Sequence, residues 1–176
     1  MTILYFAYGS NMFTPRLRFR MNACQPVGTA TLAGHELRFH KRSKKDGSAK
    51  CNALAVVDLT ARVHGVLFEL PEANLDELHR VEGRGYGYDD RQVAVTRPDG
   101  TTVGALTYLA TADAIDDHLR PFGWYWDFVA HGAAEHGLPT DYVQRFIASV
   151  RPDADPDKRR DAEERGKVTG DEHDNA

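Results

Sequence analysis

The sequence predicts an α+β fold, a small mixed β-barrel or strongly curved sheet with a few packed helices. Three observations predict it. Six or so segments of strand character lie between Thr2 and Leu109. Helical patterning is confined to three or four segments, and the C-terminal part of the body is helical. Strands and helices rarely alternate as βαβ units do, and no internal repeat recurs.

Each element has a local cause. Thr2–Tyr8 is a continuous apolar run rich in aromatic and β-branched residues, the pattern of a central strand. Asn11–Phe19 reads as a loop and then a short basic helix. Val27–His40 has strand character, with Gly28 and Gly34 as bends or bulges. Asp46-Gly47 is a hairpin turn signal. Asn52–Val57 and Val63–Leu70 are two further strands. Pro71 is placed to open a helix and Gly83 to end it. Tyr86–Thr96 and Thr101–Leu109 are strands around the turn Pro98-Asp99-Gly100. Tyr125–His136 reads as a helix capped by Gly137, and Pro139 starts the next. There Tyr142, Val143, Phe146, Ile147 and Val150 share one apolar face at helical period.

Bulk properties bound the rest. A chain of 176 residues defaults to one domain. A domain of that size buries about 70% of its unfolded surface and needs no covalent staples. Cys24 and Cys51 form neither a CxxC pair nor part of a zinc pattern, so each reads as a buried structural thiol. The opening MTILYFAYGS lacks a basic n-region, and no run approaches the ~18 apolar residues of a membrane span. The reading is a soluble, cytoplasmic protein with no membrane partner.

Net charge is −4, and residues 151–176 hold nine acidic and six basic groups, which leaves the body near neutral. A near-neutral body gives no electrostatic reason to expect nucleic acid. Residues 1–152 are read as the domain. Residues 153–176, whose apolar side chains are only Ala and Val168, are read as a charged, disordered tail with one helical turn around Lys158–Arg165. Lys41, Arg42, Lys44, Lys45 and Lys50 surround the Asp46-Gly47 turn and read as a solvated hairpin tip. His131 and His136 are five apart, which does not place two metal ligands on one helix face.

Two features point to chemistry. Leu75 and Leu78 mark the buried stripe of the helix after Pro71, and Glu82 at i+7 continues it. Asp76, Glu77, His79 and Arg80 fall on other faces. A carboxylate on an apolar face is unusual, and burial raises a carboxyl pKa toward the range of general acid–base work. The competing reading is a surface glutamate reaching solvent or pairing with Arg80 or Arg84. The second feature is Tyr5-Phe6-Ala7-Tyr8-Gly9-Ser10-Asn11-Met12, a strand ending in residues suited to unusual backbone angles and exposed N–H groups. It is a candidate cradle for a carboxylate or carbonyl oxygen; a plain turn with Ser10 or Asn11 as N-cap is the alternative. Ser10 is not the nucleophile of a GxSxG elbow.

At these residues the chain resembles the γ-glutamylcyclotransferase, or AIG2-like, family. An aromatic strand running into YGSN matches Tyr5–Asn11. The Glu-Gly pair before a Tyr-rich strand matches Glu82-Gly83 and Arg84-Gly85-Tyr86-Gly87-Tyr88. A tyrosine seven residues before a Gly-Ala pair, with a later Gly-Leu-Pro, falls at Tyr125. The resemblance covers about residues 3–152 and leaves the tail and the basic hairpin unexplained.

The resemblance implies a small-molecule γ-glutamyl substrate, cyclised to 5-oxoproline with release of an amino acid or amine. It implies Glu82 as general acid and base, and Tyr5, Phe6, Ala7, Tyr8, Gly9, Ser10, Asn11 and Tyr125 at the substrate. It implies no metal and no organic cofactor, in a monomer or homodimer. The alternatives are a non-catalytic ligand-binding module on the same fold, or a specialised cyclotransferase that removes a γ-glutamyl protecting group from a metabolite. A nucleic-acid-binding barrel would need exposed aromatics among residues 40–50, which contain none.

Overall fold

The structure is a computed structural model and describes residues 1–169. Its seven strands among those residues are β1 (Thr2–Ala7), β2 (Gln25–Ala33), β3 (His35–Arg42), β4 (Ala49–Ala55), β5 (Arg62–Pro71), β6 (Tyr88–Thr96) and β7 (Thr102–Ala110). Five of them close into a barrel in the order β1-β5-β2-β6-β7. Neighbours pair antiparallel except at the closure, where β1 meets β7 in parallel through Tyr5 and Leu106. The predicted α+β barrel is therefore the observed architecture.

The single strand predicted over Val27–His40 is two strands. Gly34 has φ +69, a left-handed conformation that L side chains avoid, and its N–H donates to the Ala61 carbonyl. The chain turns there and leaves the barrel. β3 and β4 then form a separate hairpin around the predicted Asp46-Gly47 turn. A bulge between Pro26 and Gly28 in β2 bends the sheet toward closure.

Phe6, Val66, Leu67, Phe68, Leu70 and Val95 fill the barrel and its flanks with no exposed surface or almost none. Each such side chain contributes roughly 1.5–3 kcal/mol. The helices are α1 (Thr14–Arg20), α2 (Leu75–Glu82), α3 (Gly123–Glu135), α4 (Thr140–Val143) and α5 (Lys158–Thr169). Pro71 does not open α2; it ends β5 with ψ 138, and a 3-10 turn over Glu72–Asn74 intervenes. Gly83 ends α2 as predicted, in the left-handed conformation. Among the described residues no helix is long and apolar enough to cross a membrane.

Two charge-based expectations need correction. The composition beyond residue 152 predicts disorder, yet Asp153 is bridged to Phe122 and residues 158–169 form α5. Charged groups do most of the docking, with Val168 packed against the core. Buried Asp155 accepts from Trp124 Nε1 at 2.9 Å and from Arg160, and Arg165 pairs with Asp127 of α3. The expectation of disorder over residues 170–176 lies outside the described residues. The basic hairpin is also not a wholly solvated tip. Lys41 is buried against Tyr86 and Tyr88, and Lys50 folds inward to Asp46 and over the Trp124 and Tyr125 rings.

Candidate active site

Strand β1 ends at Ala7, and Tyr8-Gly9 lead into a 3-10 turn over Ser10–Met12. Alternation along the strand faces Tyr5 toward the end of α2. There Leu78 and Val81 are buried and anchor the helix, and half-buried Glu82 is its last residue. The Tyr5 hydroxyl and Asn11 Nδ2 both donate to Glu82 Oε1. The competing surface pairs do not involve this glutamate. Arg80 lies 3.8 Å from Glu77, and Arg84 lies 2.7 Å from Asp90.

Asn11 is itself oriented. Arg20 of α1 donates from Nη1 to Asn11 Oδ1 at 2.9 Å and from Nη2 to the Val81 carbonyl. The amide oxygen thus faces a cation, which leaves the NH2 for the carboxylate. One arginine ties α1, the turn and the end of α2 together around Glu82.

Tyr125, in the first turn of α3, closes the opposite wall. Its hydroxyl accepts the Cys51 N–H at 2.9 Å, while the Tyr88 hydroxyl donates to the Cys51 carbonyl. Gly9 sits against this pair: a Cβ there would lie 3.0 Å from Cys51 Cβ and 3.2 Å from the Tyr125 hydroxyl. Its φ is −118, so the need for glycine is close approach, not a left-handed backbone.

These groups enclose a cavity of about 40 Å³. Tyr5, Phe6, Tyr8, Gly9, Ser10, Asn11, Glu82 and Tyr125 line it; Ala7 does not. Ala7 turns its carbonyl toward Gly65 of β5, where a Cβ would lie 2.4 Å away. Cys51, Tyr88, Thr107 and Tyr108 also line the cavity and were missed by sequence reasoning. Tyr88 alone carried a signal, as the second tyrosine of Tyr86-Gly87-Tyr88. Cys51, Thr107 and Tyr108 arrive by strand pairing across the fold.

The cavity's phenols are neutral. Burial first, and the Glu82 carboxylate second, push the Tyr5 hydroxyl well above its ordinary pKa, so it stays a donor. Burial likewise raises Tyr88 and Tyr125. The Cys51 thiol is pushed up to about 12, chiefly by burial, which makes it a poor nucleophile and fits a structural thiol. The arrangement is a carboxylate held by two neutral donors beside a tight turn. That suits proton transfer more than nucleophilic attack by the protein.

Known proteins resemble this chain over most of its length. The AIG2-like family model matches residues 62–146, which include Glu82 and Tyr125 but not the turn after β1. A Bos taurus γ-glutamylcyclotransferase is 29% identical over 154 residues, covering 86% of this chain and 80% of its own. A Homo sapiens γ-glutamylcyclotransferase is 29% identical over 150 residues, covering 84% and 78%. A solved γ-glutamyl cyclotransferase structure superposes with a TM-score of 0.79, at 26% identity over 87% of this chain and 90% of that one. In sequence and in fold the chain is similar to the AIG2-like family and to γ-glutamylcyclotransferases over most of its length.

Proposed function

We propose that the protein is a γ-glutamylcyclotransferase, closing a γ-glutamyl group to 5-oxoproline and releasing an amino acid or amine. The observation that carries this reading is Glu82, held at a cavity wall by Tyr5 and Asn11 and facing the Gly9–Asn11 turn. The similarity to curated γ-glutamylcyclotransferases over most of the chain supports it.

The reaction is intramolecular. Glu82 takes a proton from the substrate's α-ammonium, and the freed amine attacks the γ-carbonyl carbon. A tetrahedral oxyanion forms, and its collapse breaks the bond to the leaving nitrogen. Glu82 then returns the proton to that nitrogen, and the second proton of the ring nitrogen follows to the departing amine, which leaves as an ammonium beside the neutral lactam. Acid–base help of this kind contributes on the order of 10²–10⁴-fold. The first N–H groups of a helical turn lack intrahelical partners, so those near Gly9 and Ser10 suit the substrate's charged oxygens. Tyr125 and Cys51 form the wall that holds the substrate folded, and folding the chain back on itself supplies the near-attack geometry. The nucleophile is part of the substrate.

The test is mass spectrometry for 5-oxoproline after incubation with γ-glutamyl dipeptides and γ-glutamylated amines. Glu82→Gln keeps the side chain's volume and its hydrogen-bonding oxygen but cannot accept the proton. It is expected to lose at least about a hundredfold in kcat while the protein stays folded. Near wild-type turnover by Glu82→Gln would remove Glu82 from the chemistry. Absence of 5-oxoproline from every wild-type incubation would favour a binding module instead.

A further inference from the structure

Helix α1 presents two arginines one turn apart, and each reaches a different side chain of the cavity. Arg20 orients Asn11. Arg16 has no part in the chemistry above. It is only 9% exposed, and its Nε donates to Ser10 Oγ at 3.1 Å. Its guanidinium lies 4.5 Å from the Phe128 ring centre and 5.7 Å from that of Trp124. On its outer side Nη1 stands 3.6 Å from Glu164 Oε2, on α5.

A guanidinium this enclosed is costly without a counter-charge. Burial lowers the Arg16 pKa to about 10, and Glu164 opposes that fall. Glu164 is delivered by a helix that Asp155, Arg160 and Arg165 fasten to α3 and its surroundings.

The consequence falls on Ser10. A hydroxyl has one proton and two lone pairs. Arg16 occupies a lone pair, so the proton is directed away from α1, toward the cavity that Ser10 lines. A cationic donor on the oxygen also strengthens the O–H as a donor in turn. Such a donor beside the Gly9 turn fits a carboxylate oxygen.

We propose that Arg16, charge-balanced by Glu164 of the C-terminal helix, is the positioning residue that turns the Ser10 hydroxyl toward the substrate's α-carboxylate. The proposal rests on the cyclotransferase reading given above. It also gives residues beyond 152 a role in substrate binding.

The experiment is steady-state kinetics of 5-oxoproline release from a γ-glutamyl dipeptide, with melting curves for each protein. Ser10→Ala is expected to raise KM about tenfold, the usual worth of a hydrogen bond to a charged group, with kcat little changed. Glu164→Gln is expected to raise KM about threefold. The double variant should be no worse than Ser10→Ala alone, because both act through one contact. Arg16→Lys, which keeps the charge and loses the fork, should behave like Ser10→Ala; if it does not fold, the Ser10 and Glu164 pair still decides. Multiplying effects in the double variant, near thirtyfold, would overturn the relay. So would an unchanged KM in Ser10→Ala, or a loss confined to kcat. A wild-type protein that cyclises no γ-glutamyl compound overturns the functional reading and this inference together, whereas an active wild type with independent effects overturns the inference alone.

Discussion

Glu82 receives two donors of different strength of commitment. Asn11 is fixed by Arg20, while the Tyr5 phenol is held only by its buried ring and the carboxylate itself. Tyr5→Phe keeps the ring packed between Phe68 and Tyr108 but deletes one donor. We predict a fall in kcat of about tenfold or more, with KM and melting temperature nearly unchanged, measured by 5-oxoproline release and calorimetry. An unaltered kcat would make Tyr5 a packing residue only. At Gly9 the pressure is steric. Valine would drive a methyl into Cys51 and the Tyr125 hydroxyl, whose neighbours are packed on every side. Gly9→Val is expected to lose most affinity for a γ-glutamyl ligand by titration calorimetry while retaining the fold; equal affinity would take the turn out of the site. At this scale much was legible. Glu82 betrayed itself by continuing the Leu75 and Leu78 stripe, and Gly9-Ser10-Asn11 by following an apolar strand. Ala7 shares the Tyr5 face of β1 but does not line the cavity. Tyr108 was not legible, since only barrel closure brings β7 beside β1.

Among the elements, α5 shows where composition misleads. A segment with almost no apolar side chains was expected to stay disordered, on the principle that burial must offset ordering entropy. That principle counts only what the segment itself buries. Asp155 instead enters a site prepared by α3, receiving the Trp124 indole N–H and the Arg160 guanidinium. The sequence carries both partners but nothing that joins residue 124 to residue 155. Truncation before this helix should therefore not be silent. Asp155→Ala is expected to cost about 2 kcal/mol, from the usual worth of hydrogen bonds to a charged group. The same contact sets a pH dependence. Hydrogen bonding from Arg160 holds the Asp155 carboxyl down at about 2, from an ordinary value of 3.8. A depressed acid contributes its stability in full above 3.8 and loses it as pH falls through about 2. Trp124 fluorescence followed from pH 5 to pH 2 should report release of α5 in the lower part of that range, about one transition in the wild type and none in Asp155→Ala. A transition at the same pH in both proteins would assign it to another group.

At the scale of the whole molecule, most strands were legible one by one, β2 and β3 being read as one, and their order was not. Alternation and turns identify β1, β5, β6 and β7, but closure in the order β1-β5-β2-β6-β7 depends on pairings between distant segments. The same holds for the seat of α3. Its Gly132 lies so near the turn after β1 that an added Cβ would stand 2.6 Å from Met12 Cβ and 2.6 Å from the Phe13 nitrogen. The turn that holds Ser10 and Asn11 is thus pressed directly on the helix that holds Tyr125. Real Cβ contacts do not occur at that distance, so Gly132→Ala must move α3 or the turn, and backbone on one side cannot yield cheaply. Overpacking of this kind costs about 1–3 kcal/mol, which for a domain of this size lowers the melting temperature by roughly 5 °C. The effect on catalysis should be larger, because the shift separates the two walls of the cavity, and a displacement of about 1 Å can cost a hundredfold. Gly104, in β7, has nothing within 4 Å of an added Cβ and supplies the control. We predict that Gly132→Ala loses more than tenfold in kcat/KM with a modest fall in melting temperature, while Gly104→Ala changes neither. If Gly132→Ala retains full activity, the cavity does not depend on the seating of α3 against the turn, and Tyr125 is held by its contacts with Cys51, Phe39 and Lys50.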